Sequence, residues 1–272
     1  MACSRPIAVL CLCSAFVAVP RVGLCQQLEA SAEVVSADRQ AVRDGASRRV
    51  STTKREMPDL SELFKPLPND FRRLVTRGNL SMLQAGALGA LTFSPWDRRI
   101  QNSTWGEGTI QRALQPGALV GGFVFQSSAA IATYAVGRAT KQTRIAELGA
   151  DLVRAQIVSQ TVTQAVKFSA QRTRPDGTSL SFPSGHTSSS FATASVLHAH
   201  FGLKAAIPAY AMATWVAASR VQMKRHHVSD VIVGASVGLL AGRSVTFGRG
   251  ASRFALSPMV VPGGGGISLV KK

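Results

Sequence analysis

The chain changes character near residue 60. Residues 26–59, "QQLEASAEVVSADRQAVRDGASRRVSTTKREMPD", are polar and charged and lack a sustained apolar period, the pattern of a flexible arm. From Leu60 onward Ala, Leu, Val, Gly and Phe fill long stretches without the strict alternation of a half-buried strand, so helices are predicted. Six candidates follow, over residues 69–92, 109–138, 143–170, 187–201, 204–221 and 229–244. Pro95, Pro116, Pro175, Pro183 and Gly202 punctuate them, because proline geometry and glycine freedom interrupt a helix. The pattern therefore predicts an all-α protein, a bundle of about six core helices. Its tail, "SPMVVPGGGGISLVKK", reads as a short β-hairpin or a loose end, and its glycines are not followed by the Gly-Lys-Ser/Thr of a phosphate loop.

With 272 residues, 46% of them hydrophobic, the chain is long enough to bury a sizeable core. Its four cysteines, Cys3, Cys11, Cys13 and Cys25, all lie in the first 25 residues, where an apolar run sits between Arg5 and Arg21. That is the layout of a secretory signal peptide. Cleavage near Cys25 would leave an exported, cysteine-free protein held by its core rather than by disulfides. The expected organisation is a signal peptide at 1–25, the arm at 26–59, a helical domain at 60–248 and a glycine-rich tail at 249–272. Residues 117–137 approach the length and apolarity of a membrane span, but Gln126, Ser127 and Ser128 interrupt them, and 143–165 carries Arg144, Glu147, Asp151 and Arg154. A water-soluble or peripherally attached bundle is expected, with an integral membrane protein as the alternative.

A net charge of +17 predicts attraction to polyanions: nucleic acid, an anionic membrane surface or a phosphorylated substrate. No zinc-finger spacing, heptad run or aromatic RNA-binding signature accompanies the charge, which sets nucleic acid aside. Three clusters narrow the choice further. In "KFSAQRTRP" Lys167 and Arg174 are two helical turns apart and share a face before Pro175 stops the helix; basic residues also simply favour a helix C-terminus. In "PSGH" a helix start follows Ser184, Gly185 and His186, where free backbone N–H groups can bind an oxyanion, or where a hydroxyl can merely cap. In "SRVQMKRHHVSD" Arg220 precedes His226 by six positions, and Asp230 lies four beyond His226, a spacing at which a carboxylate can fix an imidazole tautomer. An ion pair at a helix junction is the plainer alternative. His227 is three residues from Asp230 and competes with His226. His198 and His200, two apart on one helix, point to different faces and are not read as metal ligands.

Taken together, Lys-x6-Arg-Pro, Pro-Ser-Gly-His and Ser-Arg-x5-His-x3-Asp, in this order within residues 167–230, resemble the three-part signature of the type 2 phosphatidic acid phosphatase superfamily. That superfamily includes bacterial nonspecific acid phosphatases and vanadium-dependent haloperoxidases, and its common core is a helical bundle. The resemblance implies that Lys167, Arg174 and Arg220 bind phosphate oxygens, completed by the Ser184 side chain and the Gly185 N–H. It implies that His226, oriented by Asp230, attacks phosphorus, and that His186 protonates the leaving oxygen. The Arg220 spacing of the signature selects His226 over His227. No acidic cluster suited to magnesium or zinc accompanies the motifs, so a metal-independent reaction without a cofactor is expected, with vanadate as an inhibitor. The implied activity is hydrolysis of phosphate monoesters or pyrophosphates, on lipids or small soluble esters, through a phosphohistidine, in the periplasm or cell envelope. A haloperoxidase carrying vanadate as cofactor, or a noncatalytic anion-binding envelope protein, are the alternatives.

Overall fold

In the computed structural model, the described residues are 57–102, 108–247, 254–261 and 264–271. All of them belong to the compact unit Glu56–Lys272. The expected signal peptide and the arm up to residue 56 lie outside the described residues. Two residues assigned to the arm, Pro58 and Asp59, contact α7, Asp59 Oδ1 accepting from Arg138 Nη1 at 3.2 Å. The Pro58 carbonyl accepts hydrogen bonds from the Tyr134 hydroxyl at 2.8 Å and from Arg138 Nη1 at 2.7 Å.

The helices are α1 Leu60–Phe64, α2 Leu67–Leu74, α3 Arg77–Phe93, α4 Asp97–Asn102, α5 Thr109–Leu114, α6 Gly117–Val120, α7 Phe123–Ala139, α8 Thr143–Ala170, α9 Gly185–Phe201, α10 Leu203–Gln222 and α11 Val228–Val245. The helical bundle predicted from the sequence is thus present, with finer breaks. The candidate at 69–92 divides at Thr76, whose extended backbone (ψ 150°) starts a new helix, and the Arg73 carbonyl left at the break accepts from Asn79 Nδ2 at 2.8 Å. The candidate at 109–138 divides at Pro116 and at the Gly121–Gly122 pair, so that α5–α6 and α7 meet at 55°. In the tail, β1 (Phe254–Val261) pairs antiparallel with β2 (Gly264–Lys271), Phe254 opposite Lys271.

Helix α8 is central: buried residues lie around most of its circumference, and Leu148, Leu152, Ala155 and Val158 join Val196, Ala241 and Val245 in the main apolar core. Each large aliphatic side chain so enclosed contributes about 1.5–3 kcal/mol relative to exposure. Helices α9 and α11 approach more closely than ordinary side chains allow. Gly234, Gly238 and Gly242 form a stripe on α11 facing Ser184, Ser188 and Ser195, and a Cβ on Gly238 would lie 2.3 Å from the Ser188 carbonyl oxygen. Small residues every fourth position let backbones touch in this way. The contact fixes the start of α9 against the start of α11, which is where the second and third sequence motifs lie.

The outer surface is unusually apolar. Leu88, Leu91, Val124, Ile131, Leu203 and Ile207 are all more than half exposed. Among the described residues one helix, α11, is long and apolar enough to cross a membrane, although 72% of that window is buried within the bundle; α5–α6 with α7 pass the same test as a bent pair.

Candidate active site

The three motifs meet at one end of the bundle, formed by the end of α8, the segment 171–184, the start of α9, the end of α10 and the start of α11. Helix α8 ends at Gln171 in the left-handed conformation (φ 43°), and the chain then folds back as an irregular strap. Lys167 Nζ holds that strap by donating to the Leu180 carbonyl at 2.7 Å. Ser184 starts α9, and its N–H donates to the Asp230 carbonyl at 3.0 Å, joining the second motif to the third.

Lys167, Arg220 and His226 are all buried, and Arg174, Gly185 and His186 are half-buried. Their charges act on one another. Burial, then Arg174 and Arg220, pull the Lys167 ammonium down to about 8, with Asp230 opposing. Burial, then Arg220, His226 and Lys167, pull the His186 imidazole down to about 4, while the Ala118 carbonyl opposes them by hydrogen bonding. Arg220 is pulled to about 10 by burial, Arg225 and Arg174. The His226 imidazole is held below its ordinary value, first by burial, with Asp230 working against that and Lys167 and Arg220 adding to it. Three cations thus repel one another around two imidazoles. The Nε atoms of Arg174 and Arg220 are both enclosed without an acceptor among the described residues. Unpartnered buried guanidinium donors are costly, and an oxyanion satisfies them.

The partner of His226 differs from expectation. Its Nδ1 lies 2.6 Å from the Ser181 carbonyl oxygen and 3.9 Å from Asp230 Oδ2. A carbonyl can only accept, so Nδ1 carries the proton and Nε2 presents a lone pair. The Asp230 carboxylate is engaged elsewhere: Oδ2 accepts from the Ser181 hydroxyl and, at 2.8 Å, from the His227 N–H, while Oδ1 accepts from Arg172 Nη1 at 2.7 Å. Asp230 therefore bears on His226 through Ser181 and through its charge, not by a direct hydrogen bond. The physical reason is local, since Asp230 sits in the first turn of α11 and caps the N–H of His227.

Ser184 also departs from expectation. It is fully enclosed, its Oγ accepting from Thr187 Oγ1 at 2.9 Å and its Cβ lying against the Gly234 position. The hydroxyl expected in an oxyanion cradle belongs to the wall. Gly185 faces the site, for a Cβ there would lie 3.9 Å from Lys167 Cε. His227 faces away, with Nδ1 3.0 Å from Gln101 Nε2 and Nε2 3.4 Å from the Thr173 carbonyl. The Gly121–Gly122 elbow sits against the outer face of His186, as a Cβ on Gly122 would lie 3.9 Å from its Nε2.

Reasoning from sequence passed over Asp97, Arg172 and Ser181. Arg172 shares the first motif with Arg174 and could have been flagged by that proximity; no local pattern marks Asp97. Ser181 acts partly through its backbone, which no side-chain pattern reveals. Among the described residues, no three His, Cys, Asp or Glu side chains come together as metal ligands. His198 pairs with the Tyr210 hydroxyl and His200 with Asp151, apart from each other.

Residues 149–251 match the PAP2 superfamily family model. A lipid A 1-phosphatase of Porphyromonas gingivalis is 43% identical over 82 residues, 29% of this chain and 18% of that protein, so the chain spans under a fifth of this curated relative's length. Among solved structures, a transmembrane PAP2-type phosphatidylglycerolphosphate phosphatase from Bacillus subtilis is 21% identical with a TM-score of 0.45, covering 68% of this chain and 92% of its own. LpxE of Aquifex aeolicus is 20% identical with a TM-score of 0.47, covering 56% and 92%. The region that bears all three motifs and their converging charges is the region that matches the PAP2 superfamily.

Proposed function

We propose that this protein is a phosphatase that hydrolyses phosphate monoesters or pyrophosphates of lipids through a phosphohistidine. One observation carries the reading: two enclosed guanidinium donors without acceptors, Arg174 Nε and Arg220 Nε, beside a lysine and two imidazoles. That excess of positive charge matches a phosphate dianion. Lys167, Arg174 and Arg220 neutralise the equatorial oxygens, and the Gly185 N–H at the start of α9 adds a donor. Phosphoryl transfer asks little more of a protein than this positioning and charge, and here the cations supply what a metal would otherwise bring.

The lone pair on His226 Nε2 attacks phosphorus in line. As the new P–N bond forms, the P–O bond to the leaving group breaks and His186 gives its proton to the departing oxygen. Water then attacks the phosphohistidine, the P–N bond breaks, and His186 takes back a proton as phosphate leaves. His186 is neutral in the empty site, because burial and Arg220 hold it near 4. A bound dianion cancels the cations that depress it, so substrate binding brings the acid into its active form.

Lipid substrates are favoured on two grounds. The matched relative is a lipid A 1-phosphatase, and exposed Leu119 and Phe123 flank the elbow beside His186, where an acyl chain could rest. The protein is placed at a membrane, its open apolar faces on α3, α7 and α10 seated in lipid; export to the cell envelope rests on the signal-like first 25 residues. A panel of phosphatidic acid, undecaprenyl pyrophosphate, phosphatidylglycerol phosphate and a chromogenic monoester, assayed in EDTA, tests the function. Phosphate release from the lipid esters that persists in chelator supports it, and no release from any ester refutes it. Carbonate extraction of native membranes tests the placement, with retention in the pellet expected.

A further inference from the structure

The two arginines of the first motif have opposite fates. Arg174 keeps an enclosed Nε without an acceptor, whereas Arg172, two residues earlier, has both terminal nitrogens taken by protein. Its Nη1 donates to Asp230 Oδ1 and Ser229 Oγ, each at 2.7 Å, and its Nη2 donates to Asp97 Oδ2 at 2.9 Å. Asp97, buried at the start of α4, also accepts from the Ser229 N–H at 3.1 Å and from the Ser229 hydroxyl. It thereby caps α11 from outside that helix, satisfying a backbone donor that α11 leaves open. A continuous chain of contacts results: Asp97, Arg172, Asp230, Ser181 and then His226.

We propose that Arg172, anchored by Asp97, is a positioning residue for the nucleophile, a role that rests on the phosphatase reading above. Arg172 holds Oδ1 of Asp230. Oδ2 is thereby left to the Ser181 hydroxyl and the His227 N–H, and the Ser181 carbonyl stays on His226 Nδ1. If Oδ1 is released, the carboxylate can turn and close the 3.9 Å gap to His226 Nδ1, competing with the carbonyl that aims the ring. The charged groups facing His226 are Asp230, Lys167, Arg220 and His186. Losing the cation that restrains Asp230 lets the carboxylate favour protonated His226. A residue that binds substrate would act on KM; one that aims the nucleophile acts on kcat, where a misplacement of about 1 Å costs on the order of 10²-fold.

The test uses the full-length chain with Arg172→Met, Arg172→Lys and Asp97→Asn, alongside His226→Ala. Steady-state kinetics on one phosphate ester across pH are paired with the titration of His226 by NMR of labelled histidine. Arg172→Met is expected to lose about 10²-fold in kcat with KM little changed. Its His226 titration, and with it the acid limb of kcat/KM, should move to higher pH. Arg172→Lys keeps the charge and should restore the wild-type titration with part of the rate, and Asp97→Asn should shift both in the direction of Arg172→Met by less. A raised KM at unchanged kcat, or a His226 titration unmoved in Arg172→Met and Asp97→Asn, would overturn the assignment. If Arg172→Met fails to fold, the Arg172→Lys and Asp97→Asn pair decides by the same criteria. Full activity in His226→Ala would instead sink the phosphatase mechanism itself.

Discussion

Two clusters of buried charge lie at opposite ends of the bundle and are built on opposite principles. On α8, Arg154 and Lys167 are thirteen residues apart, a separation of about 20 Å along the helix axis. Around Arg154 the charges are matched within the protein. Arg154 pairs with Asp70 at 3.2 Å and with Asp151, Asp151 pairs with His200 at 2.8 Å, and Arg73 lies 3.6 Å from Asp70. Around Lys167 they are not: three cations face two imidazoles and a carboxylate already committed to Arg172, Ser181 and His227. The difference teaches how to tell a structural charge cluster from one made for a ligand. Both leave a buried arginine Nε without an acceptor, but the first sets its cations against carboxylates, whereas the second forces its own cations to repel.

The sharpest way to break that contrast is at the imidazoles. His226→Ala is expected to lower kcat by about 10⁴-fold or more, as removal of a nucleophile does. His227→Ala, whose ring faces Gln101 and Thr173, should leave turnover close to wild type. Equal losses would refute the choice between them. Next come paired substitutions at the two ends. Arg154→Met removes one partner of a matched cluster and should cost about 3–5 kcal/mol of stability, read by denaturant unfolding, with kcat of the folded protein intact. Arg220→Met removes one of several like charges and should cost about 10²–10³-fold in kcat/KM with no loss of stability. Asp70 adds a pH signature. Burial raises its carboxyl to about 6, so its contribution to stability is fully present below about 3.8 and lost as pH rises through 6; the Arg154→Met deficit should therefore widen above pH 6.

The unmatched cluster has its own pH signature. Lys167, held near 8, loses its charge as pH rises through that value, so kcat/KM should fall along an alkaline limb near pH 8. Lys167→Arg should push that limb upward, because a guanidinium stays protonated. Bound phosphate favours the charged amine, so the limb in kcat should lie above the one in kcat/KM. The smallest effect expected is thermal. Vanadate or phosphate should raise Tm by a few degrees in the wild type by binding the native state, and not in Arg220→Met.

The helical bundle was legible from apolar patterning, because proline and glycine mark its breaks and no stretch alternates like a strand. The gathering of Lys167, Arg174, Gly185, His186, Arg220 and His226 was implied by the resemblance of the three motifs to one family signature and not by helix geometry, because α8 ends at Ala170 and the expected shared helical face of Lys167 and Arg174 is not formed. What lay beyond reach depends on contacts distant in the chain. Asp97 meets Ser229 across 132 positions, and nothing local to either residue announces it. The Ser181 carbonyl holds His226 through a group every residue has, so the expected Asp230 contact looked equally good on spacing alone. Ser184 resembled a ligand-facing hydroxyl until the Gly234 stripe brought α11 against it. The apolar positions that lie exposed on α3, α7 and α10 resembled core residues, since periodicity does not say which face of a helix meets the rest of the protein and which lies open.

The central claim is that the unmatched cluster holds a phosphoryl group while His226 bonds to it. Rapid acid-free quenching of the enzyme with a ³²P-labelled ester measures this directly. The account predicts a base-stable, acid-labile label on the wild type and on His227→Ala, and none on His226→Ala. Label that survives in His226→Ala, or a wild type that turns over without ever carrying label, would contradict it.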